Sequence, residues 1–577
     1  MKKLAILSLS MMLAAGAQAQ TATFGYFKYA GNDARFNVAI DKTHQYYNPI
    51  LAGFYPDPSV CRVGDTYYLV NSSFTFFPGV PLSTSKDLVN WTPAGHVLDR
   101  PSQVPLKGQR VSGGIYAPAI SYNKKNKTFY MITTNVGAGN FYVKTKDPSK
   151  GWSEPIYLRK IDGIDPSFFF DDNGKGYIVH NAPVVGKDDY SGQRAIRLFE
   201  FDVKGDSIKG DFKEILRGGT HVQKNPIWIE GPHLFKKDKY YYLMCAEGGT
   251  GAWHSEVILR AKNPMGPWEE CPNNPILTQR TGLDPNRKDP VSSAGHADLV
   301  EDGKGNWWAV FLACRPYEED MYNTGRDTYL LPVTWKDGWP EILAKNTPIS
   351  SVGEKAGLKP AEKNEFSGNF SYTDEFEGCK KETACTGDKA GEKTEKDCCA
   401  GKKAGLENLN PRWMFLRDKV DCYKVADGKL TFNLLPGNIY QREPISALWV
   451  RQQHGTFTAE TSLDFTPRND KDIAGLAFLQ KEDYNIVLGK TMLNGKLAIT
   501  LTRAEKSNAL IASAFIKPGT LRLKVEGHDR YYDFYYAEEG GDWQLLAKGV
   551  DASNLSTQKS GGFLGACIGL YASSNKE

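Results

Sequence analysis

Three carboxylates of this chain recur in one local setting. Asp57 stands in Pro56-Asp57-Pro58-Ser59-Val60, Asp165 in Asp165-Pro166-Ser167-Phe168, and Glu230 in Glu230-Gly231-Pro232-His233-Leu234. Two further segments share the setting without an acid, Tyr116-Ala117-Pro118-Ala119-Ile120 and Gly295-His296-Ala297-Asp298-Leu299. A single Asp before Pro is ordinarily a turn or cap residue. Three acids brought to one place repel one another, and such a cluster is costly unless chemistry uses it. The chemistry that suits them is hydrolysis of a glycosidic bond with inversion. One carboxylate activates a water, a protonated carboxyl donates to the leaving oxygen, and the two stand about 6.5–9.5 Å apart to admit the water. A third acid near the donor keeps it protonated by like-charge repulsion. The residues alone leave open which acid takes which part.

Each of the five segments is an apolar strand followed by a polar turn and an aromatic strand, such as Asp65-Thr66-Tyr67-Tyr68-Leu69-Val70 after the first. The period is roughly 50 to 66 residues. A second element repeats as well: Ser85-Lys86-Asp87 before Trp91, Lys146-Asp147-Pro148 before Trp152 and Lys262-Asn263-Pro264 before Trp268. Five β units of this length predict a five-bladed β-propeller, with outer strands that pack a Trp between blades. In a propeller the innermost strand of every blade lines the axis. Asp57, Tyr116, Asp165, Glu230 and His296 are therefore expected to converge there.

The run 48–61, Asn-Pro-Ile-Leu-Ala-Gly-Phe-Tyr-Pro-Asp-Pro-Ser-Val-Cys, closely resembles the opening of glycoside hydrolase family 43, the β-xylosidase and α-L-arabinofuranosidase family. So do Gly163-Ile164-Asp165-Pro166-Ser167, Trp228-Ile229-Glu230-Gly231-Pro232-His233-Leu234 and Gly295-His296-Ala297-Asp298-Leu299. The resemblance spans 47–343 and extends to an accessory C-terminal β-sandwich. It implies Asp57 as general base, Asp165 as the residue that tunes and orients the acid, and Glu230 as general acid. It further implies that Phe74 is a pocket-wall aromatic, that Arg326 contacts sugar hydroxyls, and that His296 lies beneath the site. In some relatives that His helps hold a central ion or water, so a structural calcium or sodium near His296 is compatible with the resemblance. No cofactor is required, and no metal-ligand set is visible beyond His296. One departure stands out: xylosidase relatives usually carry Trp followed by Ala-Pro-Asp where this chain has Tyr116-Ala117-Pro118-Ala119. The smaller ring and its hydroxyl put strict xylosidase specificity in doubt.

Beyond the repeats, Pro and Gly become frequent and the aromatic pattern stops near 339–360, a linker composition. Alternating runs follow at 429–434, 448–452, 457–465, 473–479, 497–501, 520–525 and 531–536, which predicts an all-β sandwich. By resemblance, a loop of this concanavalin-like domain supplies an aromatic to the site, for which Phe563 in Gly561-Gly562-Phe563-Leu564-Gly565 is the candidate. The expected organisation is an export signal at 1–19, a leader at 20–46, the propeller at 47–345, a linker at 346–365 and the sandwich at 366–577, interrupted by a Cys- and Lys-rich insertion at 378–405.

Other features bound the function. Lys2, Lys3, a short apolar stretch and Ala17-Gln18-Ala19 form a cleavable signal, which predicts export to a periplasm or beyond the cell. The apolar stretch is too short to span a bilayer. Formal net charge is +4 in 577 residues and no basic patch stands out, so nothing points to nucleic acid. Of ten cysteines, Cys61, Cys245 and Cys314 lie in or beside apolar strand-like runs as buried thiols, while Cys379, Cys385, Cys398 and Cys399 cluster in the insertion. That cluster suits local disulfides or free thiols, and its spacing matches no common zinc pattern. The expected activity is exo-acting release of terminal α-L-arabinofuranose, β-D-xylose or both from xylan, arabinoxylan or xyloglucan side chains. The alternatives are an endo-arabinanase on the same propeller and a glycan-binding protein without catalysis.

Overall fold

The computed structural model describes residues 20–361, 364–377 and 409–576, with the backbone of 382–383 and 395–396 between them. The signal at 1–19 and Cys379, Cys385, Cys398 and Cys399 lie outside the described residues. The described chain is almost wholly β. None of its helices is long and apolar enough to cross a membrane.

Five antiparallel meanders follow one another. The first comprises Ser59–Val63, Thr66–Val70, Gly79–Ser85 and Trp91–Leu98. The first strands of the next four are Ile115–Asn123, Ile164–Phe170, Glu230–Lys237 and Ser292–Glu301. Strands deep in these sheets are covered on both faces by neighbouring sheets, so they read as continuous uncharged runs rather than alternating ones. Thr128–Asn135, for example, is buried at every position.

Hydrogen bonds between first strands sew the sheets together in order. Ser59 Oγ accepts from the amide of Ile120, Ser121 Oγ donates to the Phe168 carbonyl, and Ser167 Oγ donates to the Pro232 carbonyl. The fourth and fifth sheets meet where the amide of Ala297 donates to Glu256 at 2.9 Å. Asp298 of the fifth then accepts from Ser59 Oγ at 2.8 Å and from the amide of Val60 at 2.9 Å, which closes the ring onto the first. The segment before the first sheet is stitched to the fifth as well, with backbone bonds in both directions between Leu51 and Thr328.

At the top of each ring strand the backbone turns through a left-handed residue: Asp57, Ala117, Asp165, Gly231 and His296, at φ of 52°, 37°, 54°, 54° and 52°. In the last four the pairing register also slips at this point, the mark of a bulge. This corrects the sequence register. Asp57, Asp165 and His296 are equivalent, but Tyr116 and Glu230 each stand one residue earlier, and their true equivalents are Ala117 and Gly231. Crowding explains the fourth repeat, because a Cβ on Gly231 would lie 2.8 Å from His296 Cε1. The acid of that repeat has moved back by one residue.

The second module is a sandwich of two sheets. One has six strands, Ser446–Arg451, Cys567–Ser573, Ile473–Lys481, Tyr484–Leu493, Lys496–Glu505 and Ser507–Phe515, in that spatial order. The other has eight, and here the expected leader is corrected. Thr21–Gly31 is an interior strand of this sheet, paired with Lys429–Asn433, Ser371–Asp374 and Thr456–Phe465. Its Phe24, Phe27 and Tyr29 are buried, which fixes the strand in the sandwich core. The expected linker is also built in, since Val352–Glu354 pairs with Gln45–Tyr47.

The two modules share a junction beside the ring axis. Phe415–Leu416 pairs with Phe76–Phe77, and Phe54, Phe74 and Phe76 pack with Trp449 and Leu564 in one apolar cluster. Arg451 Nε donates to the Phe54 carbonyl at 2.6 Å. Cys61 is partly buried and Cys245 and Cys314 are buried, all three as free thiols.

Candidate active site

The bulges aim side chains of different sheets at one place. Asp57, Asp165 and Glu230 are 6%, 6% and 7% exposed, so each carboxyl is nearly desolvated while keeping a narrow opening. Asp57 is the most tightly held: Ser72 Oγ donates to Oδ2 at 2.6 Å and Arg326 Nη1 to Oδ1 at 2.7 Å. His296 Nδ1 lies 3.8 Å from Oδ1. Asp165 Oδ2 accepts from the amide of Gly231 at 3.2 Å, the residue that follows Glu230. No hydrogen bond from the described residues reaches the carboxyl of Glu230.

These surroundings split the acids electrostatically. Burial pushes Asp57 upward, but the charge of Arg326 and the Ser72 hydroxyl more than offset it and hold the group below the ordinary carboxylate range. Asp165 is raised, by burial first and then by the charge of Asp57. Glu230 is raised well above the ordinary range by burial, then by Asp165 and Asp57. Asp57 is thus biased towards its carboxylate and Glu230 towards its protonated form, the division that acid–base hydrolysis needs. Burial also pushes His296 down to about 3 and His254 down to about 4, so both imidazoles are neutral. No group of three or more His, Cys, Asp or Glu side chains among the described residues is arranged to hold a metal.

An aromatic wall stands on the Asp57 side. Phe563, from the sandwich, stacks on Phe74 with centroids 6.3 Å apart, and Tyr116 meets both rings edge-on at 5.2 and 5.7 Å. The Arg326 guanidinium lies 5.8 Å from the Phe74 centroid and 5.7 Å from that of Phe563, and it donates to the Phe563 carbonyl at 3.3 Å. Phe74 differs from its expected role: it is 1% exposed, with Phe54 stacked behind it, and it supports the wall from the rear. Tyr116 and Phe563 are the partly exposed rings. The Tyr116 hydroxyl donates to the Ser112 carbonyl at 2.6 Å, so it is engaged within the wall.

Several residues at the site escaped the sequence reading. Ser72 stood in plain view, two positions before Phe74. Arg194 is half-buried, donates from Nε and Nη2 to Asn181 Oδ1 at 3.1 and 2.7 Å, and acts electrostatically on Glu230. Asn181 in turn donates to the carbonyl of Ile229, steadying the residue before the acid. No local pattern marks either one, because only the strand pairing of the third sheet brings them together.

Residues 46–340 match the family model described as glycosyl hydrolases family 43, and residues 406–577 match the β-xylosidase C-terminal concanavalin A-like domain. The chain belongs to glycosyl hydrolases family 43. This family 43 glycosidase is 38% identical to a xylosidase/arabinosidase of Butyrivibrio fibrisolvens, over 92% of this chain and 96% of that protein. It is 33% identical to the non-reducing end α-L-arabinofuranosidase BoGH43B of Bacteroides ovatus, over 92% of each. Among solved structures, a GH43_12 protein retrieved from a capybara gut metagenome superposes with a TM-score of 0.84 at 41% identity, covering 96% of this chain and all of that one.

Proposed function

We propose that this glycosidase removes terminal α-L-arabinofuranose or β-D-xylose from hemicellulose fragments with inversion, on a five-bladed propeller whose blades are the five ring sheets. The observation that carries the reading is the opposed surroundings of two buried acids: Asp57 accepts from Arg326 and Ser72, which favours its carboxylate, while burial and the charge of Asp165 favour the protonated form of Glu230. Asp57 takes a proton from a water, whose oxygen attacks the anomeric carbon. Glu230 gives its proton to the glycosidic oxygen as the carbon–oxygen bond breaks. The sugar leaves with inverted configuration, and the two acids regain their starting states through solvent. Asp165 keeps Glu230 protonated and, through the Gly231 amide, fixes the strand that carries it.

Exo action is supported by the sandwich loop, which packs Phe563 against Phe74 and Tyr116 beside Arg326. The choice of pentoses is supported by the names of the relatives, a xylosidase/arabinosidase and a non-reducing end α-L-arabinofuranosidase. Export through the 1–19 segment suits action on plant cell-wall fragments outside the cytoplasm. The deciding experiment is hydrolysis of an aryl β-D-xyloside and an aryl α-L-arabinofuranoside, followed by proton NMR from the first turnover. Release of the inverted anomer from either substrate is expected. A first-formed product with retained configuration, or binding of both sugars without turnover, would overturn the proposal.

A further inference from the structure

The roles proposed above give the site a direction. Glu230 protonates the departing oxygen, so the saccharide that leaves must lie against the segments around Glu230. The sugar under attack lies towards Asp57, Tyr116 and Phe563. The segment entering Glu230 carries Trp228, and its backbone is clamped from two sides. The Trp228 amide donates to the Gly192 carbonyl at 2.9 Å, and the Gly248 amide donates to the Ile227 carbonyl at 2.9 Å. Trp228 sits at a φ of 50°, a left-handed conformation that a bulky residue adopts at a cost.

That clamped, strained backbone presents an indole to solvent. Trp228 is 40% exposed. Of twelve tryptophans, the one other exposed ring is Trp253, in the loop whose Gly248 bonds Ile227. The remaining ten are buried or half-buried, as the hydrophobic effect requires of so large a ring. The Arg194 guanidinium lies 5.3 Å from the Trp228 ring centroid. Two of its nitrogens are spent on Asn181, and Nη1 makes no hydrogen bond to the described residues. An open indole beside a free guanidinium N–H offers both contacts that a sugar ring uses, its C–H face and its hydroxyls.

We propose that Trp228 and Arg194 form the binding site for the saccharide on the leaving-group side of the bond, the indole stacking on its ring and Arg194 Nη1 donating to one of its hydroxyls. This rests on the role given to Glu230 and goes further by saying where the rest of the substrate lies. It assigns Trp228 to recognition of the glycan backbone, apart from recognition of the terminal pentose.

The test compares Trp228→Ala and Trp228→Phe with the wild type on a xylo-oligosaccharide and an arabinofuranosyl-substituted xylo-oligosaccharide. Inhibition by free xylose or arabinose is measured alongside. On whichever oligosaccharide the wild type cleaves, KM should rise about tenfold in Trp228→Ala and less in Trp228→Phe, with kcat nearly held. The inhibition constant of the free pentose should stay within about twofold. An unchanged oligosaccharide KM in Trp228→Ala would refute the assignment, and so would an equal loss of pentose binding, which would place the indole at the terminal sugar. Should Trp228→Ala fail to fold, Trp228→Phe decides by the same two readouts. A wild type that cleaves neither oligosaccharide would instead bring down the functional reading beneath it.

Discussion

Arg326 Nη1 stands 2.7 Å from Asp57 Oδ1, joining the fifth ring sheet to the loop that opens the first, across 269 positions of sequence. Both groups are nearly desolvated, at 5% and 6% exposure. The pair therefore closes the ring and sets the charge of the proposed base at once. Arg326→Gln should lose both functions. Removing one partner of a buried ion pair typically costs ~3–5 kcal/mol, because the other charge is left unpaired. Without the guanidinium the Asp57 carboxyl rises, since the largest influence that opposes burial is gone. The acid limb of kcat/KM should move to higher pH, and thermal unfolding should occur at lower temperature. An unmoved acid limb would show that Arg326 does not govern Asp57.

Asp165 governs the other limb. Its charge is the second cause, after burial, of the raised Glu230 carboxyl. Asp165→Asn removes that charge yet keeps an oxygen to accept from the Gly231 amide. Glu230 should then ionise at lower pH, and the alkaline limb of kcat/KM should shift down while the acid limb stays close to its place. Glu230→Ala, by contrast, should cut kcat by about 10²–10⁴ on substrates with poor leaving groups and far less on activated aryl glycosides. A pH–rate profile of Asp165→Asn with both limbs fixed would refute the coupling.

The same shift bears on stability. Because the folded Glu230 carboxyl titrates above its unfolded value, its contribution is fully present below the unfolded pKa and is lost as pH rises through the folded one. Glu230→Gln is of similar size and does not titrate. Its melting temperature relative to wild type should therefore climb as pH rises from the ordinary carboxylate range towards neutrality and beyond. Differential scanning at several pH values checks this. A difference independent of pH would mean that Glu230 is not held protonated by the fold.

Much of this arrangement was legible because the residues that build it are local. The Pro-flanked acids, the polar turns and the aromatic strands repeat along the chain, and the five ring sheets fall where they do. The seven alternating runs of the second half are all strands. What escaped depends on distant partners. Thr21–Gly31 gained its place from Thr456–Phe465, more than 400 residues away, and followed directly on a segment read as a signal. Tyr484–Leu493 has both faces covered and lacks the alternation that marks a half-exposed strand. Tyr116 and Glu230 stand one residue out of register with the other three because each precedes the left-handed residue of its bulge, and the side-chain pattern alone carries no trace of the backbone equivalence at Ala117 and Gly231.

The sandwich reaches the site through a contact between two glycines, and this yields a test that touches no acid. Gly325 precedes Arg326, at a φ of 81° that favours glycine, and Gly565 follows the Phe563 loop. A Cβ on Gly565 would lie 2.3 Å from the Thr324 carbonyl oxygen and 3.0 Å from Gly325 Cα. Those atoms are backbone, so no side-chain rotation can relieve the clash. Gly565→Ala should push the Phe563 loop away from Arg326, breaking the bond from Nη2 to the Phe563 carbonyl and opening the aromatic wall. The expected result is a loss of about tenfold or more in kcat/KM, expressed mainly in KM, because the proposed role of the wall is to bind the sugar while the acids keep their surroundings. Gly561→Ala is the control in the same loop: a Cβ there meets nothing within 4 Å, although its φ of 69° adds backbone strain. It should cost less activity than Gly565→Ala. Equal losses in the two variants would trace the effect to loop strain and remove the glycine contact from the account of how the sandwich shapes the site.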